Sequence, residues 1–215
     1  EVTTLTDFQT KNTIAKDENG NLITVPGDFK VLTSEGTNVT QGIAIRDREG
    51  NEFVWVPVDS VSTGTSKPAD DIRLGRYTFD KINGTPKKEQ DAENYKDVVS
   101  IKPNGAVCDF QELTNDLGNM SAKKLGDFVT KTQTNGGYYI GRYEASEGED
   151  GKADSKFDKT LWKSITQLDA ATVAREMYDN SYVASDLINS YSWNTAIVFI
   201  QKYSGITNYA SVHAS

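Results

Sequence analysis

The stretch Gly50-Asn51-Glu52-Phe53-Val54-Trp55-Val56-Pro57-Val58 decides the class of the fold. Phe53, Trp55 and Pro57 alternate with Val54, Val56 and Val58, so a strand over 51–58 carries apolar side chains on both faces. Such a strand needs cover on both sides and belongs inside a sheet. Proline has no N–H to give to a ladder, so Pro57 is expected to mark where pairing ends.

Outward from this strand, tight-turn signals recur. Asn19-Gly20, Glu49-Gly50-Asn51, Asn83-Gly84, Asn104-Gly105 and Asn135-Gly136 supply residues that tolerate positive φ, as narrow hairpins require. The runs 22–25, 29–33, 42–47 and 72–79 between them are expected to be strands, and 138–146 another. The polar runs 59–70 and 80–97 lack apolar periodicity and are expected to be surface loops. The period then changes. Phe110, Leu113 and Leu117, followed by Leu125, Phe128 and Val129, recur at helical steps. Thr166 with Asp169 forms a capping-box signal ahead of Ala170, Val173, Ala174, Met177 and Tyr178. Trp193, Ala196, Ile197, Ile200 and Tyr203 form a further apolar face, with Ser192 as its expected N-cap and Gly205 as its stop. No repeat with a period of about 20 to 50 residues is visible. The fold class is α+β, a hairpin-rich antiparallel sheet with two or three helices.

Composition narrows the chemistry. The chain of 215 residues is long enough to bury a core as one large domain, or one domain with an arm. With 23 Lys and Arg against 31 Asp and Glu, the net charge is −8, which opposes contact with phosphate backbones and anionic lipid. Nucleic acid is therefore not an expected partner. A single cysteine, Cys108, and a single histidine, His213, exclude an internal disulfide and a zinc site built from several Cys or His ligands. Cys108 is read as a small buried hydrophobe, and a triad would have to use His213, two residues from the end of the sequence. No apolar run reaches the length of a membrane span. The sequence opens at Glu1 without a signal-peptide pattern, so a leader or anchor is expected to have been removed ahead of it.

Few residues stand out as sites. The acidic loops 17–21 and 147–154 offer oxygen ligands but lack the pattern of an EF-hand, and are read as turns. Arg142 and Glu144 share a face of the expected 138–146 strand, where they would either orient a ligand or form an ion pair that fixes register. Trp55 and Trp193 sit in apolar patterns and are expected in the core. Trp162, beside Lys159 and Lys163, is the tryptophan expected to be exposed and able to meet a ligand such as a sugar.

Three segments in order, 50–58, Gly137-Tyr138-Tyr139-Ile140-Gly141-Arg142-Tyr143-Glu144-Ala145-Ser146, and Ser185-Asp186-Leu187-Ile188-Asn189-Ser190-Tyr191-Ser192-Trp193-Asn194-Thr195-Ala196, resemble the formylglycine-generating-enzyme-like modules, which share their scaffold with the C-type-lectin-like fold. The resemblance spans roughly residues 42 to 210. Residues 21–31 resemble the lead-in that precedes such modules in Gram-positive surface proteins with a pilin-like N-terminal segment, and in phage proteins. It implies an N-terminal extended arm over 1–41, a module over 42–215 lacking its C-terminal part, and an extracellular or cell-surface location. The enzymes of this superfamily use a copper(I)-binding cysteine pair near an Asn-Val-Trp-Glu-Trp-like motif. That motif and a second cysteine are missing here, so no catalytic, cofactor or metal residue is carried over.

The expected function is that of a noncatalytic surface protein: a pilus-like filament subunit, an adhesin or a displayed binding module. Its partners would be other protein chains, including copies of itself through strand exchange, or a glycan or host-surface ligand; a membrane would be reached only through a segment outside this sequence. Ligand contacts would fall in loops 59–70, 80–97 and 147–158, with Trp162, Arg142 and Glu144 as candidates. Two alternatives stay open: a phage structural or receptor-binding protein, and a fragment of a copper-dependent oxidase.

Overall fold

The computed structural model describes residues 1–64, 71–91, 100–101, 107–108, 125–178 and 180–206. The strands are β1 (Thr13–Lys16), β2 (Leu22–Val25), β3 (Lys30–Val31), β4 (Ala44–Arg46), β5 (Glu52–Pro57), β6 (Gly75–Phe79), β7 (Pro86–Asp91), β8 (Ser100–Ile101) and β9 (Val107–Cys108). Helix α1 (Leu125–Asn135), strands β10 (Gly137–Gly141), β11 (Ser146–Glu147) and β12 (Ala153–Asp154), and helices α2 (Gln167–Met177) and α3 (Ser190–Ser204) follow. Among the described residues all the strand pairs are antiparallel, and the fold is α+β.

The central sheet has the order β10-β5-β4-β3, so β5 lies inside it. Successive residues of β5 point to opposite faces, and each face meets its own core. Trp55 packs with Ile23, Val25, Phe29, Ile43, Val61 and Ile72 on one side. Val56 packs with Leu125, Val129, Tyr138, Tyr191 and Phe199, from α1, β10 and α3, on the other. The apolar run on both faces of β5 is thus explained by cover on both sides, and the strand ends at Pro57. Gly137 sits opposite Pro57, and a Cβ there would come within 2.4 Å of the Trp55 ring and 2.6 Å of the Val56 carbonyl oxygen. Only glycine lets these strands close over the indole.

Residues 1–41, expected as an extended arm, fold into the body of the protein. Val2, Ala15, Ile23, Val25, Phe29, Val31 and Val39 belong to the same core as Trp55, and β3 pairs with β4 across the expected boundary. The reason is geometric: β1 and β2 form a hairpin whose inward residues cover one face of the central sheet.

That hairpin and the β4–β5 hairpin share a turn whose pattern is only five residues long. Asp17-Glu18-Asn19-Gly20-Asn21 and Asp47-Arg48-Glu49-Gly50-Asn51 have the pattern Asp-x-x-Gly-Asn. In each, Oδ1 of the aspartate accepts the N–H groups two and four residues on, at 2.8 to 2.9 Å. Oδ2 accepts the Nδ2 of the closing asparagine. The glycines stand at φ 83° and 94°, which a side chain would oppose. A distant donor completes each site: the Val39 N–H at Asp17 and the Tyr178 hydroxyl at Asp47.

Several expectations are corrected. The 80–97 segment is not wholly loop, because β7 pairs with β6 into a ribbon whose turn is held by Asp80, which accepts from the N–H groups of Ile82 and Asn83. Both faces of β7 carry charge, so no apolar periodicity marked it. Helix α3 is capped by Asn189, with Ser192 at the third position of a reciprocal capping box, rather than by Ser192 itself. Its buried face runs through Tyr191, Thr195, Ala196 and Phe199, leaving Trp193 53% exposed. Thr195 is buried because it accepts the Gly75 N–H, so a polar residue faces inward and the apolar Trp193 outward. The expected helical residues Phe110, Leu113 and Leu117, the turn at Asn104-Gly105, residues 65–70 and 92–97 of the expected loops, the Cys108 side chain and His213 lie outside the described residues.

Candidate functional site

The three segments carrying the resemblance meet in space. β5 pairs with β10 from Gly137↔Pro57 to Gly141↔Phe53. Tyr138 of β10 donates its hydroxyl to the Ser192 carbonyl at 2.5 Å, joining α3 to the sheet. Burial holds the Tyr138 and Tyr139 hydroxyls well above the usual phenol range, so neither serves as a base.

The ligand candidates separate. β10 stops at Gly141, so Arg142 and Glu144 do not lie on one strand face. Glu144 is exposed and forms no ion pair among the described residues. Arg142 donates from Nη1 to Glu52 Oε2 at 2.7 Å and from Nη2 to Glu35 Oε2 at 2.5 Å. Arg46, directly opposite Glu52 in the ladder, donates to Oε1 through Nε at 2.9 Å. The Glu52 side chain is only 5% exposed. Burial opposes its ionisation, but the hydrogen bonds from Arg46 and Arg142 outweigh that, and its carboxyl is held below the usual range. This is the register-fixing ion pair expected of Arg142, with Glu52 and Glu35 as partners in place of Glu144. Sequence spacing could not show it, because these two carboxylates and two guanidiniums come from separate segments that only the fold brings together.

Trp162 occupies a different place. The segment 159–163 runs beside β11: Trp162 donates its N–H to the Ala145 carbonyl at 3.0 Å, and Leu161 bridges to Ser146. Half-buried Trp162, with Lys159, Thr160, Leu161 and Lys163, lines a shallow depression of about 390 Å³ whose opposite wall is Ser146 and Glu147. Arg142 and Glu144 do not line it. The exposed Phe157 ring stands against Tyr143 just before the segment, at a centroid distance of 5.7 Å.

The acidic loops are turns, the first with a buried aspartate and the second with Glu147, Glu149 and Asp150 exposed. Asp17 is buried, and each of its carboxylate oxygens accepts two N–H donors, which leaves no free lone pairs directed at a cation. In the second loop Asp150 and Asp154 pair with Lys152 and Lys156. Among the described residues no group of three His, Cys, Asp or Glu is arranged to hold a metal. No described helix is long and apolar enough to cross a membrane. Comparison with protein families, curated proteins and solved structures finds no match to the chain.

Proposed function

We propose that the chain is a noncatalytic, extracellular surface protein of formylglycine-generating-enzyme-like, C-type-lectin-like architecture, and that it works as a displayed binding module. Convergence of segments 50–58, 137–146 and 185–196 on one core supports the architecture. The observation that carries the function is the depression at Trp162: a half-buried tryptophan among polar and charged residues, on a short segment bonded to residues 145–146 at the start of the β11–β12 ribbon. The test is binding of the full chain to an array of glycans and cell-surface polymers, beside Trp162→Ala. Loss of binding in the variant is expected, and equal binding by the two proteins overturns the reading.

A second reading, a subunit of a polymer, is favoured by α3. Along one stripe Trp193 and Ile200 are exposed, with half-buried Ile197 between them, and Lys202 is the one charged residue in this helix. A chain of net charge −8 tolerates contact with its own copies only where charge is sparse, and this stripe meets that condition. Sedimentation of the wild type and of Trp193→Ser tests it: concentration-dependent association lost in the variant supports the reading, and a monomeric wild type overturns it.

A further inference from the structure

The depression at Trp162 sets three separate demands on whatever fills it. The first is charge. Lys159 and Lys163 line it, and among the described residues neither forms an ion pair, whereas the nearby Lys152 and Lys156 are neutralised by Asp150 and Asp154. In a chain of net charge −8, a lining with two lysines against the single carboxylate of Glu147 favours an anion. The second is hydrogen bonding. Glu147 lies in the same lining, and its carboxylate accepts donors and repels anions, so the ligand must carry hydroxyl or amide protons beside its negative charge. The third is shape: the Trp162 ring offers a flat apolar face suited to the C–H face of another ring.

The segment is also preorganised. Asp158 at φ 57° and Ser164 at φ 62° stand on either side of 159–163, both non-glycine residues in the left-handed region. Between them the Trp162 N–H and the Leu161 bridge tie the chain to 145–146. Ligand binding to a segment held in this way costs little ordering of its backbone.

We infer that this depression binds an acidic saccharide: a pyranose ring bearing a carboxylate, stacked on Trp162, its carboxylate at Lys159 and Lys163 and its ring hydroxyls donating to Glu147. The inference rests on the binding-module reading and names the ligand class for the same site. A neutral sugar leaves both lysines unused. An acidic peptide such as poly-glutamate brings charge and amide protons, but it offers no ring face to the indole.

The test is calorimetry of the full chain with tetragalacturonate, with neutral galactotetraose and with poly-glutamate. Binding of the uronate is expected to exceed that of the neutral sugar by at least about tenfold, to vanish in Trp162→Ala, and to weaken as salt is raised. The double variant Lys159→Gln/Lys163→Gln changes only exposed side chains and is expected to lose the preference for the uronate with its thermal melt unchanged; it decides the matter if Trp162→Ala fails to fold. Equal binding of the two sugars, with Trp162→Ala inactive on both, overturns the acidic ligand and leaves the binding-module reading standing. Poly-glutamate binding as tightly as the uronate replaces the saccharide by an acidic peptide and overturns the inference. No binding of the uronate overturns it as well, and unchanged array binding by Trp162→Ala overturns the underlying reading.

Discussion

Glu52 accepts from two arginines that arrive from different strands, Arg46 across the β4–β5 ladder and Arg142 from the end of β10. Because its folded-state pKa is depressed, its contribution to stability is complete above the ordinary glutamate range and is lost as the pH falls below that range through the lower folded value. Urea unfolding near about pH 7 and again near about pH 3 checks this. Glu52→Gln is expected to be less stable than wild type at the higher pH and to lose less on acidification; parallel losses in the two proteins contradict the account. Gly137 gives a second prediction at this scale. A Cβ at 2.4 Å from the Trp55 ring forces the indole or the strand to shift, so Gly137→Ala is expected to cost about 1 to 3 kcal/mol of stability, read from a lowered urea midpoint. An unchanged midpoint means that the β5–β10 contact relaxes freely.

At the scale of elements, the two Asp-x-x-Gly-Asn hairpins show what sequence reading reached and where it stopped. Asn-Gly and Gly-Asn pairs announced the turns, since glycine at positive φ is a local requirement. The buried roles of Asp17 and Asp47 were not announced, because their last donors, Val39 and Tyr178, come from elsewhere in the chain. The same limit explains α3. Hydropathy assigns Trp193 to the core and Thr195 to solvent, but Thr195 hydrogen-bonds Gly75, and Tyr138 takes the Ser192 carbonyl, so the helix turns its other face to the sheet. Strand β5 was legible because from Phe53 onward both of its faces are apolar. The sequence offered Trp162 as a candidate from its lysine neighbours and Glu147 only as part of the loop 147–158; that the two segments adjoin rests on the Trp162–Ala145 hydrogen bond and the Ser146–Leu161 bridge, which spacing does not show. Asp47→Ala removes the acceptor of four donors and is expected to cost about 2 to 4 kcal/mol, with the fluorescence of Tyr178 and its neighbours changing in the native state. Asp17→Ala is expected to behave alike, and a marked difference between them would show that the tertiary donor, rather than the turn, dominates.

For the whole molecule, charge gives the two proposed surfaces opposite responses to salt. The net charge of −8 makes every copy repel every other at low ionic strength, so contact between α3 stripes is held apart until salt screens it. The depression at Trp162 works the other way, because its two lysines attract an anion most strongly when unscreened. Raising the salt from about 20 mM to about 300 mM shortens the screening length several-fold. Over that range the self-association constant, followed by sedimentation velocity, is expected to rise, while the affinity for a uronate oligomer, followed by calorimetry, falls. The variants separate the two effects: Trp193→Ser is expected to abolish the first response and leave the second, and Lys159→Gln/Lys163→Gln the reverse. If one variant removes both responses, the stripe and the depression are parts of a single contact surface, and ligand binding and assembly compete for it.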